Sequence, residues 1–207
     1  MSLESLKKTG FRAESMDNIL VDAGAIYTVT ADDQGDISET TDDWNLLGAT
    51  QDGASFSIDQ DFRSIEIDGV KGEAKGAQIL EAVMPMITAN LLEFNLENIQ
   101  YALPGAVNED WGDETDPTHE LITRNSCIEV ADYIDYVALV GKLSADCAAG
   151  ENDEPIVFLV KNGLAKSGFE FDVADEDEAI MSVEFSGHYD SDNTEEEPWA
   201  ILLPKEE

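Results

Sequence analysis

Along the chain, short apolar stretches alternate with polar, acid-rich ones, and most apolar positions recur with the period of strands. Residues 78–89 (QILEAVMPMITA) are mostly apolar over the length of one long strand. Val83, Ile87 and Leu91 are spaced by four, so a helix competes for the same segment. Pro85 in its middle would remove a helical hydrogen bond and clash with the preceding turn. An extended strand is therefore expected, with Pro85 on an edge or at a bulge. Next, Asn95 precedes Leu96, Ile99 and Leu103, which share one helical face, and Pro104-Gly105 closes the pattern. One short, single-sided helix near 95–103 follows from this, resting on other elements.

Further strands are expected at 24–29 and 44–50. Gln51-Asp52-Gly53 reads as a turn, after which Phe56 and Ile58, then Ile65 and Ile67, alternate with polar neighbours. Residues 44–69 thus read as a hairpin with acid on one face. Strand patterns return at 127–143, where both faces look covered, and at 156–160, which Asn162-Gly163 is expected to end. Phe169, Phe171 and Val173 alternate, and 180–185 and 199–203 close the set. About eight to ten short strands with one helix make a sandwich or barrel plan with the helix packed outside. Residues 1–22 read as an arm and residues 31–43 and 106–120 as long exposed loops. Residues 23–192 form the main domain, and 193–207 a last strand and C-terminal arm. At 207 residues, one core is the default.

Charge changes this picture most. The chain has 46 acidic and 11 basic residues, for a formal net of -35. Such an excess argues against the basic footprint of a nucleic-acid binder and against binding to anionic membranes. Adaptation to high salt and a surface that repels a polyanion both remain open. The acidic runs at 32–43, 109–116, 172–178 and 190–197 hold fewer than half of the acids, so strand faces must carry acid too.

Candidate chemistry is sparse. Cys127 and Cys147 are too few for a disulfide framework or a zinc site, and both are expected to be buried thiols. His119 and His188 stand in no catalytic spacing, and His188 reads as structural. Asp190, Asp192 and Thr194 are spaced like the start of a calcium loop that lacks its glycine. Neither an enzyme activity nor a cofactor nor a metal is expected. Trp44, Trp111 and Trp199 read as core or interface anchors, with Phe56, Ile58, Ile65 and Ile67 as further assembly candidates. No signal-peptide run or membrane span is evident, which predicts a soluble protein made in a cytoplasm.

The ordered motifs DAGAIYTV (22–29), LLGATQDGASFSID (46–59), IEIDGVKGEAKG (65–76), LLEFNLENIQYALPG (91–105), DYIDYVALVGKL (132–143) and SVEFSGHYD…EPWAILLP (182–204) resemble the major tail tube proteins of long-tailed phages and related archaeal viruses. The resemblance implies a two-sheet β-sandwich flanked by one helix, assembled as stacked, hexameric rings around a DNA-conducting lumen in the virion tail. It implies as partners further copies of the chain, tape-measure and tail terminator proteins, and DNA that passes without specific binding. It maps the joining N-terminal arm, long hairpin loop and C-terminal arm onto 1–22, 31–65 and 193–207 in turn. The alternative function class is a soluble acidic β-sandwich module that binds carbohydrate or calcium.

Overall fold

The computed structural model describes residues 20–204 apart from 33, 114–115, 144–154, 170 and 173–177. In chain order the elements are β1 (Leu20–Val29), β2 (Trp44–Leu46), β3 (Thr50–Ser64), β4 (Gln78–Leu91), α1 (Leu96–Ala102), β5 (Ala106–Asp113), β6 (Asp116–Arg124), β7 (Ile134–Leu143), β8 (Ile156–Ala165), β9 (Phe171–Asp172), β10 (Ile180–Ser186) and β11 (Trp199–Leu202). The described chain is mainly β with one α-helix. Nine strands form one antiparallel path in the order β2-β1-β7-β8-β10-β4-β3, with β11 added on β8 and β9 on β10, while β5 and β6 make a separate pair.

The path changes direction within β8. Val157 to Val160 pair with β7 on one side and β11 on the other, whereas Leu164 and Ala165 pair with β10. Between them Asn162 takes a left-handed φ of 47°, which Asn tolerates better than most residues. Asn162-Gly163, expected to end the strand, therefore kinks it instead. A side chain at Gly163 would bring a Cβ within 2.7 Å of Val137, so β7 passes too close for anything larger.

One core cluster joins the two halves of this path. Ile26, Val137, Leu139 and Val160 pack with Ile87, Leu91, Met181, Val183 and Phe185. The alternation along β4 and β10 makes this possible, because every second residue from Val83 to Leu91 and from Met181 to Phe185 is buried. A second cluster, Val29, Tyr136, Ala138, Val157 and Leu159, lies on the opposite face of β1, β7 and β8 and packs with Ile37, Trp44 and Ala200. Both faces of β7 are thus covered, as its pattern implied, although the strand starts at Ile134 after a 3₁₀ turn at Val130–Asp132.

Several expectations need correction. Asp52 (φ 60°) and Gly53 (φ 76°) do not reverse the chain; they form a bulge where the β3–β4 register shifts between Thr50 and Ala54. The hairpin is therefore β3–β4, its reversal lying at residues 65–77, and not a hairpin within 44–69. The expected loop over 31–65 contains the 15-residue strand β3, and the expected loop over 106–120 is the β5–β6 hairpin. Cys127 is exposed, because it lies in the connection after β6 and not in a strand. Cys147, residues 1–19 and residues 205–207 lie outside the described residues; residues 20–22 of the expected arm open β1.

Helix α1 begins where Asn95 Oδ1 accepts from the Asn98 amide at 2.7 Å. Its fully buried side chains are Asn98 and Ala102, with Ile99 half-buried, whereas the pattern pointed to Leu96, Ile99 and Leu103. The reason is local. Asn98 Nδ2 donates to the Leu47 and Glu93 carbonyls at 2.8 and 3.0 Å, backbone acceptors that an apolar side chain would leave unpaired. Pro85 sits where its carbonyl accepts from Gly187 at 2.9 Å, just past the end of β10. Its missing N–H faces that open side of β4 and interrupts no pairing with β3.

Candidate assembly surfaces and a polar sheet face

The half of the path made by β10, β4 and β3 presents one face to the core and the other to solvent. Register places Ser182, Glu184 and Ser186 beside Asn90, Thr88 and Met86, and Thr88, Met86, Met84 and Ala82 in turn face Ser55, Ser57, Asp59 and Asp61 along β3. Successive strand residues point to opposite sides, so these form the face turned away from Phe185, Ile87 and Phe56. The rows contain hydroxyls (that of Ser186 buried), the Asn90 amide, the carboxylates Asp59, Asp61 and Glu184 and the methionines Met84 and Met86, and no Lys or Arg. Ser182 Oγ and Asn90 Oδ1 bridge two strands at 2.5 Å. This face is mostly polar, weakly acidic and free of cations, with Met84 exposed between its acids.

Beyond the core, β3 and β4 continue as a two-stranded ribbon. β10 pairs with β4 no further out than Met86, yet β3 and β4 pair on to Ser64 and Gln78. Phe56 and Ile58, the half-buried sequence candidates, lie at the ribbon's base, where Phe56 meets Phe158 with centroids 5.2 Å apart. Farther out the register skips Glu81, whose carboxylate holds Arg63 Nε at 2.5 Å. That bulge puts Phe62 opposite Leu80, and both are exposed, Phe62 at 57%. Met84, Ile79, Ile65, Ile67 and Val70 are exposed as well, so the candidates Ile65 and Ile67 sit at the tip and not in a strand. Residues 62–80 carry three basic and three acidic residues, and the entire net charge lies outside them.

The β5–β6 ribbon is a second projection. Trp111 pairs with His119 across it, their rings meeting edge to face at 5.7 Å, and Trp111 is 58% exposed. Leu121 lies on the same face opposite Glu109. Six acidic residues and one basic residue occur over 106–124.

The other two tryptophans are structural fixings. Trp44 Nε1 donates to the Ser38 carbonyl at 2.9 Å and its ring meets Tyr27 at 5.9 Å, which anchors the acidic loop to β1. Tyr136 helps by donating to the Gly35 carbonyl at 2.8 Å; burial, then Asp36 and other nearby carboxylates, push its pKa up, so it stays a donor. Trp199 pairs with Val160 through β11, half-buried, with its Nε1 buried and lacking a hydrogen-bond partner.

His188 lies in a cleft with Asp135, Lys161, Asp190 and Glu196. Nδ1 is 3.0 Å from the Asn162 carbonyl, and the ring stands edge-on to Tyr133 at 5.2 Å. Burial lowers its pKa below the ordinary value, Lys166 adds to this, and the Asn162 and Ser186 carbonyls oppose it. Lys161 pairs with Glu196 at the rim. Asp190 Oδ1 accepts from the Asp192 amide at 2.9 Å, so the calcium-like spacing folds as an Asp turn. Among the described residues, no three His, Cys, Asp or Glu side chains converge as a metal site would require. The sequence patterns missed Asn98, Phe62, Leu80 and Met84. Of these, Phe62, Leu80 and Met84 carried a usable signal, as large apolar residues amid polar ones. No helix among the described residues is long and apolar enough to cross a membrane. No protein-family model matches the chain, and no curated protein matches it.

Proposed function

We propose that this protein is a structural subunit that assembles with its own copies into stacked, hexameric rings, forming the tail tube of a virus, with no catalytic role. The observation that carries this reading is the β3–β4 ribbon, a long two-stranded arm with exposed Phe62, Leu80 and Met84. Isolated two-stranded ribbons are marginal in water, and each large apolar side chain buried on docking contributes about 1.5–3 kcal/mol. Such an arm is economical in a protein that another molecule covers. In this reading the core-joined halves of the β path are the two sheets of a sandwich, and the open edges of β3 and β11 meet neighbours.

The polar face of β10, β4 and β3 is the lumen wall in this reading. Duplex DNA carries one charge per about 1.7 Å, so cationic groups on a wall would hold it. A wall of hydroxyls, the Asn90 amide, two methionines and the carboxylates Asp59, Asp61 and Glu184 repels weakly from all sides and offers no cationic anchor. Tape-measure and tail terminator proteins are the further partners, and DNA passes without specific binding. The protein is made in a host cytoplasm and resides in the virion.

Sedimentation of the full chain across NaCl concentrations tests the reading. Copies with a net charge of -35 repel one another, and salt screens that term while leaving apolar burial nearly intact. The sedimenting fraction should rise with salt and stay unchanged in an isosmotic sugar control. A chain that remains monomeric at every salt concentration would refute the assembly reading.

A further inference from the structure

From the distribution of charge and exposed apolar groups, we infer that the β5–β6 ribbon of one copy docks, through its Trp111 face, on the tip of the β3–β4 ribbon of a second copy. The inference deepens the assembly reading and rests on it. β5 and β6 pair only with each other, and a two-stranded ribbon of this length gains too little from its own contacts to be robust. Yet Trp111 meets the His119 ring edge to face, and the largest apolar surface of the ribbon points to solvent. Exposed tryptophans are effective anchors because a large ring with two side-chain torsions buries much area for little entropy.

Charge selects the receiving surface. Six acidic residues against one basic residue make the β5–β6 ribbon strongly anionic, and most of the molecule would repel it. Residues 62–80 combine balanced charge with many exposed large apolar side chains, whereas the exposed Lys142 and Lys166 have no exposed large apolar residue beside them in the chain among the described side chains. Arg63 is engaged by Glu81, whereas Lys71 and Lys75 form no ion pair among the described residues. Those two ammonium groups are available to Glu109, Asp110 and Glu120 of an incoming ribbon, beside apolar contact between Trp111 and Phe62 or Leu80. Both surfaces are exposed within a single chain, so neither is covered by the other of the same copy. Two different patches that recognise each other give a heterologous contact, which closes into a ring or runs on as a filament.

Zero-length carbodiimide coupling of the assembled full chain, mixed from isotopically light and heavy copies, tests this. Links between Lys71 or Lys75 and Glu109, Asp110 or Glu120 should appear as light–heavy pairs. Lys71→Glu with Lys75→Glu should lower the assembled fraction about tenfold, and adding Glu109→Lys with Asp110→Lys should restore most of it. Circular dichroism of each variant checks that the fold persists. Assembly whose lysine links lead elsewhere, or that ignores the charge reversals, overturns this inference and leaves the tube reading standing. A wild-type chain that never assembles overturns both.

Discussion

Asn162 and His188 hold each other by two hydrogen bonds: Asn162 Nδ2 donates to the His188 carbonyl at 3.1 Å, and His188 Nδ1 lies 3.0 Å from the Asn162 carbonyl. The pair clamps the kink where β8 passes from β7 to β10. A carbonyl acceptor requires the proton on Nδ1, so the neutral ring has a defined tautomer.

The clamp sets a pH dependence. Burial, reinforced by Lys166, lowers the folded pKa of His188 from its ordinary 6.5, so folding favours the neutral ring. Its contribution is fully present above pH 6.5 and is lost as pH falls from there through the folded value. Thermal melts of wild type and His188→Gln should show a stability gap that narrows below that pH. Comparing the two cancels the general relief of acidic repulsion on acidification. A gap that widens would mean that Asp190 and Glu196 stabilise the imidazolium.

Asn98 makes a sharper case for stability. Replacing it with Leu leaves the Leu47 and Glu93 carbonyls without their donor, at about 2–4 kcal/mol for the two together. Urea unfolding should show this loss, and a change under about 0.5 kcal/mol would mean that water replaces the amide.

Gly187 is closed in by three segments. A Cβ there would come within 2.8 Å of the Pro198 carbonyl, 2.8 Å of Pro85 and 2.9 Å of Val160. Gly187→Ala should therefore cost about 1–3 kcal/mol by overpacking and loosen β11, whereas Gly69→Ala meets no atom and costs only its left-handed φ. Equal melting points for wild type and Gly187→Ala would contradict the packing account.

Trp199 separates packing from polarity. Trp199→Ala should cost about 2–4 kcal/mol through lost packing on β8. Trp199→Phe should cost much less, because it also removes an Nε1 that is buried without a partner. Chemical denaturation of the two variants tests the ordering; a Phe variant as damaged as the Ala one would show that the indole N–H is satisfied in solution.

Much of this architecture was legible in the chain for identifiable reasons. Pro85 favoured a strand over the competing helix in its apolar run, and Asn95 announced its helix, because both signals are local and steric. Asp52-Gly53 misled because a turn and a bulge demand the same left-handed φ, and only the partner strand decides between them. The β5–β6 ribbon was missed because strands with two exposed faces need no apolar period. Asn98 had no signal at all, since the carbonyls it satisfies belong to β4's exit and to Leu47, fifty-one positions away. At the candidate surfaces the sequence marked Ile65, Ile67 and Trp111, but the exposure of Ile65 and Ile67 emerges only once β3 and β4 outrun β10, and that of Trp111 once β5 and β6 pair with each other alone.

Negative-stain electron microscopy of the concentrated full chain in high salt tests the central claim most directly. The account predicts rings and tubes of one constant width with a stain-filled lumen. A field of uniform particles the size of a single 22.6 kDa chain would contradict it.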